Sequence, residues 1–150
     1  EVLQYYKHIV PEAVSLRSHS MTNSSRISNV LHKHDIRFNC NLFFPDRAVS
    51  KIYPFKFWQG NLSIIPYIWE DDISLLYDDS RPLMELITKD SLTVFDFHPI
   101  HLFLNSDNIS RYNKAKKDYK NIKKLPSHIN KENFGTKDKF LDFLKEIAKI

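Results

Sequence analysis

Three short polar stretches hold the side chains best suited to chemistry: Arg17-Ser18-His19-Ser20, Trp69-Glu70-Asp71-Asp72 and His98-Pro99-Ile100-His101. His98 follows an apolar, β-branched and aromatic run and precedes Pro99, a setting that holds an imidazole at a strand end with little freedom. With an ordinary pKa of about 6.5 and a carboxylate beside it, such a ring stays protonated at neutral pH and can donate to a leaving group. The alternative is a histidine that hydrogen-bonds backbone at the strand end. Glu70, Asp71 and Asp72 place three carboxylates together, which is unfavourable unless a metal, an arginine or His98 shares the site. Equally, acids there suit the first turn of a helix, whose dipole favours negative charge. His19 offers one imidazole, the commonest protein ligand for a metal. The position four residues on is Asn23, so a second histidine at the usual ligand spacing is missing, and a surface or capping histidine is the plainer alternative.

Other reactive types read as inert. Cys40 falls on the apolar parity of its stretch and suits a buried thiol better than a nucleophile. No Gly-x-Ser-x-Gly elbow occurs. His32 and His34 cannot share one helix face and read as solvated. Between Lys114 and Lys124, six lysines accompany one acid, Asp118, with Tyr112 and Tyr119 nearby. Such a run can meet phosphates, but a solvated face is the plainer reading.

The elements that must position these groups alternate in type. Val14-Ser15-Leu16 is a short candidate strand that hands over to Arg17. Ile27, Val30 and Leu31 share one face of a helix that Ser24 or Ser25 can cap. Ile36, Phe38, Cys40 and Leu42 alternate as a half-buried strand does, up to Pro45. The stretch Tyr53 to Trp58 is aromatic and irregular, Gly60-Asn61 suits a turn, and Leu62-Ser63-Ile64-Ile65 is a strand limited by Pro66. Leu92 to Phe97 has the composition of a buried strand. Thr136 can cap a last helix with Phe140, Leu141, Phe143, Leu144, Ile147 and Ala148 on its buried face. This alternation predicts an α/β fold in one unit, residues 1–150, whose strand ends face a common cleft.

Composition bounds the possibilities. The 150 residues, 42% hydrophobic and 13% aromatic, suffice for a core and exclude intrinsic disorder. No apolar run approaches the roughly 18–20 residues of a membrane span. Two glycines leave no phosphate-cradling loop, and one cysteine leaves no internal disulfide or multi-cysteine zinc site. The lone thiol suits a reducing compartment, which predicts a cytoplasmic location. The net charge of +4 resides late in the chain.

Taken in order, Arg17-Ser18-His19-Ser20, Ile65-Pro66-Tyr67-Ile68-Trp69-Glu70-Asp71-Asp72 and Phe97-His98-Pro99-Ile100-His101-Leu102-Phe103-Leu104-Asn105 resemble the polysaccharide deacetylase family. The resemblance is to its divergent branch associated with bacterial O-antigen and surface-polysaccharide biosynthesis. It runs from about Pro11 to the last helix. It implies the later part of a distorted (β/α) barrel and metal-dependent hydrolysis of an N-acetyl or related acyl group on a sugar. In that chemistry a divalent cation, commonly zinc, polarises the acyl carbonyl and activates water, a carboxylate takes the water's proton, and a histidine protonates the departing amine. The resemblance makes His98 the general acid, has Asp71 and Asp72 orient or charge it, and makes Arg17 the arginine that neutralises a site carboxylate. It gives His19 as a metal ligand and sets Tyr67, Trp69, Glu70, His101 and Asn105 against the carbohydrate.

One departure qualifies the match. The family opens on a strand bearing an aspartate pair, one a metal ligand and one the general base, whereas only Glu1 and Glu12 precede Arg17 as acids. The expectation is therefore a domain incomplete at its N-terminus, with an incomplete metal site. The alternative function is a non-catalytic carbohydrate-binding or inactive homologue. A basic interaction module acting through Lys114 to Lys124 is a third. The leading reading expects a carbohydrate partner, no nucleic acid and no membrane span, specifies no oligomeric state, and requires Arg17, His98 and one of Asp71 or Asp72 to converge.

Overall fold

Apolar runs this short, broken by prolines and polar turns, can pair for only a few residues before leaving a sheet. The computed structural model describes residues 1–45, 51, 53–58 and 61–150. Among these are six two-residue strands: β1 (Ser15–Leu16), β2 (Phe38–Asn39), β3 (Phe55–Lys56), β4 (Ser63–Ile64), β5 (Trp69–Glu70) and β6 (Phe95–Asp96). The helices are α1 (Val2–Ile9), α2 (Ser25–Lys33), α3 (Asp71–Leu76), α4 (Pro99–Leu104), α5 (Ile109–Ala115) and α6 (Thr136–Ile147). They fall into two compact units: Glu1–Ile68 with Asp90–Val94, and Trp69–Lys89 with Phe95–Ile150.

In the first unit, β1, β2 and β4 run parallel and β3 closes the edge antiparallel to β4, in the order β1-β2-β4-β3. The parallel register sets Leu16 beside Asn39 and Asn39 beside Ile64. Leu31, Ile36, Leu62 and Ile64 form the core, with Leu16, Ile27 and Leu42 packed on it. Ser24 caps α2 as expected, its Oγ accepting from the Ile27 N–H at 3.2 Å, whereas Val30 is exposed. The parity expected of the second strand holds at Ile36 and Leu42 and is reversed between them. Asn39 and Asn41 are buried and Phe38 is at the surface, because neighbours on both sides bury a strand whose polar side chains find partners inside. The turn expected at Gly60-Asn61 lies partly outside the described residues.

In the second unit, β5 and β6 pair in parallel, with Trp69 opposite Phe95 and Glu70 opposite Asp96. Their aromatics join α6 edge to face: Phe95 meets Phe143 and Phe97 meets Phe140, each at 4.8 Å between centroids. The buried face of α6 is narrower than its periodicity predicts, since Leu141, Leu144 and Ile147 are exposed. Its cap also differs. Gly135 is the N-cap, Thr136 opens the helix with its hydroxyl donating to the Ser106 carbonyl, and the Asn105 Oδ1 accepts from the N–H groups of Lys137 and Asp138. A Cβ on Gly135 would fall 2.1 Å from the Asn105 carbonyl oxygen, so only glycine allows this approach.

The class is α/β. The strands form one four-stranded and one two-stranded sheet, neither of them closed into the expected barrel among the described residues. No helix there is long and apolar enough to cross a membrane.

Candidate active site

The register of β5 with β6 sets the two polar stretches of the second unit side by side, at the C-terminal ends of parallel strands. Asp71 and Asp72 open α3, so the first-turn reading of these acids holds. On the neighbouring strand, Pro99 occupies the first position of α4 and forces His98 before it into extended backbone (φ −85°, ψ 129°). That conformation aims both the backbone and the ring of His98 at one carboxylate. The His98 N–H donates to Asp71 Oδ2 at 2.8 Å, and ring Nδ1 lies 2.6 Å from Asp71 Oδ1. The Asp72 N–H adds a third bond to Asp71 at 2.9 Å.

Asp71 is 1% exposed, and these three contacts satisfy its buried carboxylate. An ionised carboxylate only accepts, which fixes the hydrogen on His98 Nδ1 and leaves proton exchange with a substrate to Nε2. Asp72 is the more exposed acid, and its Oδ2 lies 3.8 Å from His98 Nε2. Its Oδ1 hydrogen-bonds Nε2 of His101, whose Nδ1 lies 2.9 Å from the Ser106 hydroxyl. The Tyr112 ring covers His101 at 4.7 Å between centroids. Burial, reinforced by Tyr112 and by the charge of Asp72, holds the Tyr119 hydroxyl above its usual range.

The five side chains expected against carbohydrate are each at most 8% exposed. Tyr67 packs on Phe43 and hydrogen-bonds the Met21 sulfur in the first unit. His101 and Asn105 have structural partners: His101 holds Asp72, and Asn105 ends α4 in the left-handed region (φ 48°) while capping α6. Trp69 lines a cavity of about 170 Å³ together with Asp71, Ser106 and Lys139. Lys139 sits over the Trp69 ring at 5.6 Å and donates to the Asp79 carbonyl, and burial lowers its pKa.

His98, Asp71 and Asp72 thus meet in the second unit. Arg17 and His19 belong to the first, where the Arg17 guanidinium lies 5.5 Å from the centre of the Tyr67 ring and His19 is exposed. His19 opens a turn in which Ser20 and Met21 both take left-handed backbone (φ 54° and 51°). Burial pushes the Cys40 thiol up against the opposing charge of Arg17, in keeping with an inert thiol. All six lysines of the late basic run are exposed, as a solvated face requires.

Among the described residues, two groups could share an ion, each with donor atoms within 4.8 Å of one another: Glu70, Asp96 and His98, and Asp71, Asp72 and His101. In the second, the carboxylates and rings already bond one another. In the first, the Glu70 and Asp96 carboxylates offer oxygens that suit a divalent cation, while Nδ1 of His98 is already given to Asp71. His19 belongs to neither group. Sequence reasoning missed Asp96 and Ser106. Asp96 hides within an apolar strand, and Ser106 reaches His101 only because Asn105 reverses the chain, with the Ser106 N–H donating to the His101 carbonyl.

An α/β chain whose parallel strand ends carry a carboxylate-fixed histidine belongs to a class of folds that place acid–base groups in one cleft. Comparison with known proteins narrows the class. The profile of the WbmS-like polysaccharide deacetylases matches residues 1–116, and the chain belongs to that family. A crystal structure from Bordetella bronchiseptica, of a protein assigned as a polysaccharide deacetylase involved in O-antigen biosynthesis, superposes with a TM-score of 0.87 at 29% identity. The match covers 97% of this chain and 60% of that one. No curated protein sequence matches.

Proposed function

We propose that this chain carries the acid–base groups of a metal-dependent carbohydrate deacetylase, removing an acetyl or related acyl group from an amino sugar in surface-polysaccharide metabolism. The reading takes the fold as part of a distorted (β/α) barrel acting in the cytoplasm. The observation that carries it is the double grip of Asp71 on His98, by backbone and by ring. Water adds to the acyl carbon and loses its proton to a carboxylate. As the C–N bond breaks, His98 Nε2 hands a proton to the nitrogen, so that free amine and carboxylate product depart. Asp71 keeps the ring in the required tautomer, and the charge of Asp72 favours its protonated form. Arg17 neutralises a carboxylate, and Trp69 contacts the substrate from its cavity.

Glu70 and Asp96 are the carboxylates that would hold a divalent cation, which the resemblance implies is zinc. When bound, the ion supplies a Lewis acid for the acyl oxygen. The test is acetate release from N-acetylated sugars with metal content measured in parallel, on this chain and on any longer form. Release that needs metal and is lost in His98→Ala is expected. Glycan binding indifferent to chelator, without release in either form, would instead assign a carbohydrate-binding homologue.

A further inference from the structure

His101 lies one helical turn beyond His98, yet the two rings have opposite surroundings. His98 keeps 28% of its side chain exposed and gives Nδ1 to Asp71, whereas His101 is fully buried and gives Nε2 to Asp72. With both acids ionised, the two histidines carry their hydrogens on opposite nitrogens. Asp72 spans them, Oδ1 on His101 and Oδ2 3.8 Å from His98 Nε2. That second distance is close enough for Coulombic attraction and too long for a hydrogen bond. A carboxylate with a free rotamer would close to hydrogen-bond distance of the neighbouring ring unless something holds it back. The buried ring of His101 does so, and its own orientation is set by the Ser106 hydroxyl at 2.9 Å and by the Tyr112 ring.

We infer that His101, braced by Ser106, is a positioning residue that fixes where the Asp72 carboxylate stands beside His98, holding it out of hydrogen-bond reach of Nε2. This rests on the proposed deacetylase reading. A fully buried imidazole touches no substrate, so its effect passes through Asp72.

The test is a double-mutant cycle read by acetate release. His101→Leu and Asp72→Asn are each expected to lower kcat about tenfold with KM little changed, and the double variant to be no worse than the poorer single one, because the pair acts as a unit. His101→Gln, which keeps an N–H donor for Asp72, should restore kcat to within about threefold of the parent. A purely packing role predicts additive losses and no advantage of Gln over Leu, and would overturn the inference. If His101→Leu does not fold, Ser106→Ala serves. It leaves the buried ring in place without its brace and should lower kcat by about threefold, while an unchanged kcat counts against the inference. The parent chain must also show a slowly exchanging imidazole N–H resonance from His101 that is lost in Asp72→Ala, which removes the acceptor. A parent inactive both as this chain and in any longer form fails the deacetylase reading; an active parent that tolerates His101→Leu at full kcat fails this inference alone.

Discussion

In each unit the C-terminal ends of parallel strands are tied together by side chains, but with different chemistry. In the first unit the ties are amides. Asn41 Oδ1 accepts from the Ser18 N–H at 2.7 Å, and Asn39 accepts from the Asn41 N–H at 3.0 Å and donates to Asn23 at 3.3 Å. In the second unit they are carboxylates and imidazoles: Asp71 with His98, and Asp72 with His101. An amide both donates and accepts without net charge, so it fixes backbone and cannot titrate. A carboxylate only accepts and an imidazole exchanges protons near neutral pH, so the same structural task there also creates a proton donor. Strand-end geometry offers the position, and the residue type decides whether it can react.

The comparison predicts that function is lost where the carboxylate–imidazole ties are changed and stability alone where uncharged ties or backbone packing are. The largest effect is expected of Asp71→Asn. The amide must turn its NH2 toward one of the two donors of His98, so the ring loses its tautomer and acetate release should fall about 10²- to 10⁴-fold. Activity within a few fold of the parent would break the comparison. Gly135→Ala is next, a purely structural change in the second unit: its methyl meets the Asn105 carbonyl at 2.1 Å, and urea titration should show a loss of about 1–3 kcal/mol. Asn41→Ala in the first unit strips the Ser18 N–H of its acceptor and should cost about 1–2 kcal/mol by the same measurement. Its direct effect should be on stability, with no change in the tautomer of His98.

How much of this was legible depends on how far each residue's partner lies along the chain. The short signals worked: Ser24 before α2, Pro99 fixing His98, and an acid pair at a helix start all act within a few residues. The assignment of Asp71 to His98 and Asp72 to His101 was not legible, because it follows from the pairing of Glu70 with Asp96 across a gap of 26 residues. The buried asparagines were missed for the opposite reason. Alternation says which residues share a face, but only the neighbours β1 and β4 make the Asn39 face an inside one. Ser106 and Asn105 escaped because their roles depend on one left-handed residue and on a glycine 30 positions away.

Acid stability gives the finest test of the contrast. Two bonds from the Arg111 guanidinium and one from the Asn133 amide at 2.8 Å hold Asp107 at about 2, below the ordinary carboxylate value of about 3.9. Asp79, bonded by Arg81, and Asp138, bonded by Asn105, are shifted the same way. A depressed carboxylate stabilises the fold above its unfolded pKa. As the pH falls from about 4 toward about 2, the unfolded chain takes up the proton first and that stability drains away. All three acids lie in the second unit, whereas the amides that tie the first have no proton to gain. Asn41→Ala should therefore lower the stability curve by the same amount at about pH 7 and about pH 3, a parallel shift. Asp107→Asn should lower it at neutral pH and flatten the acid limb. Measured by urea titration across that range, a flattened limb in Asn41→Ala, or a parallel shift in Asp107→Asn, would remove the distinction between the uncharged ties of the first unit and the charged hydrogen bonds of the second.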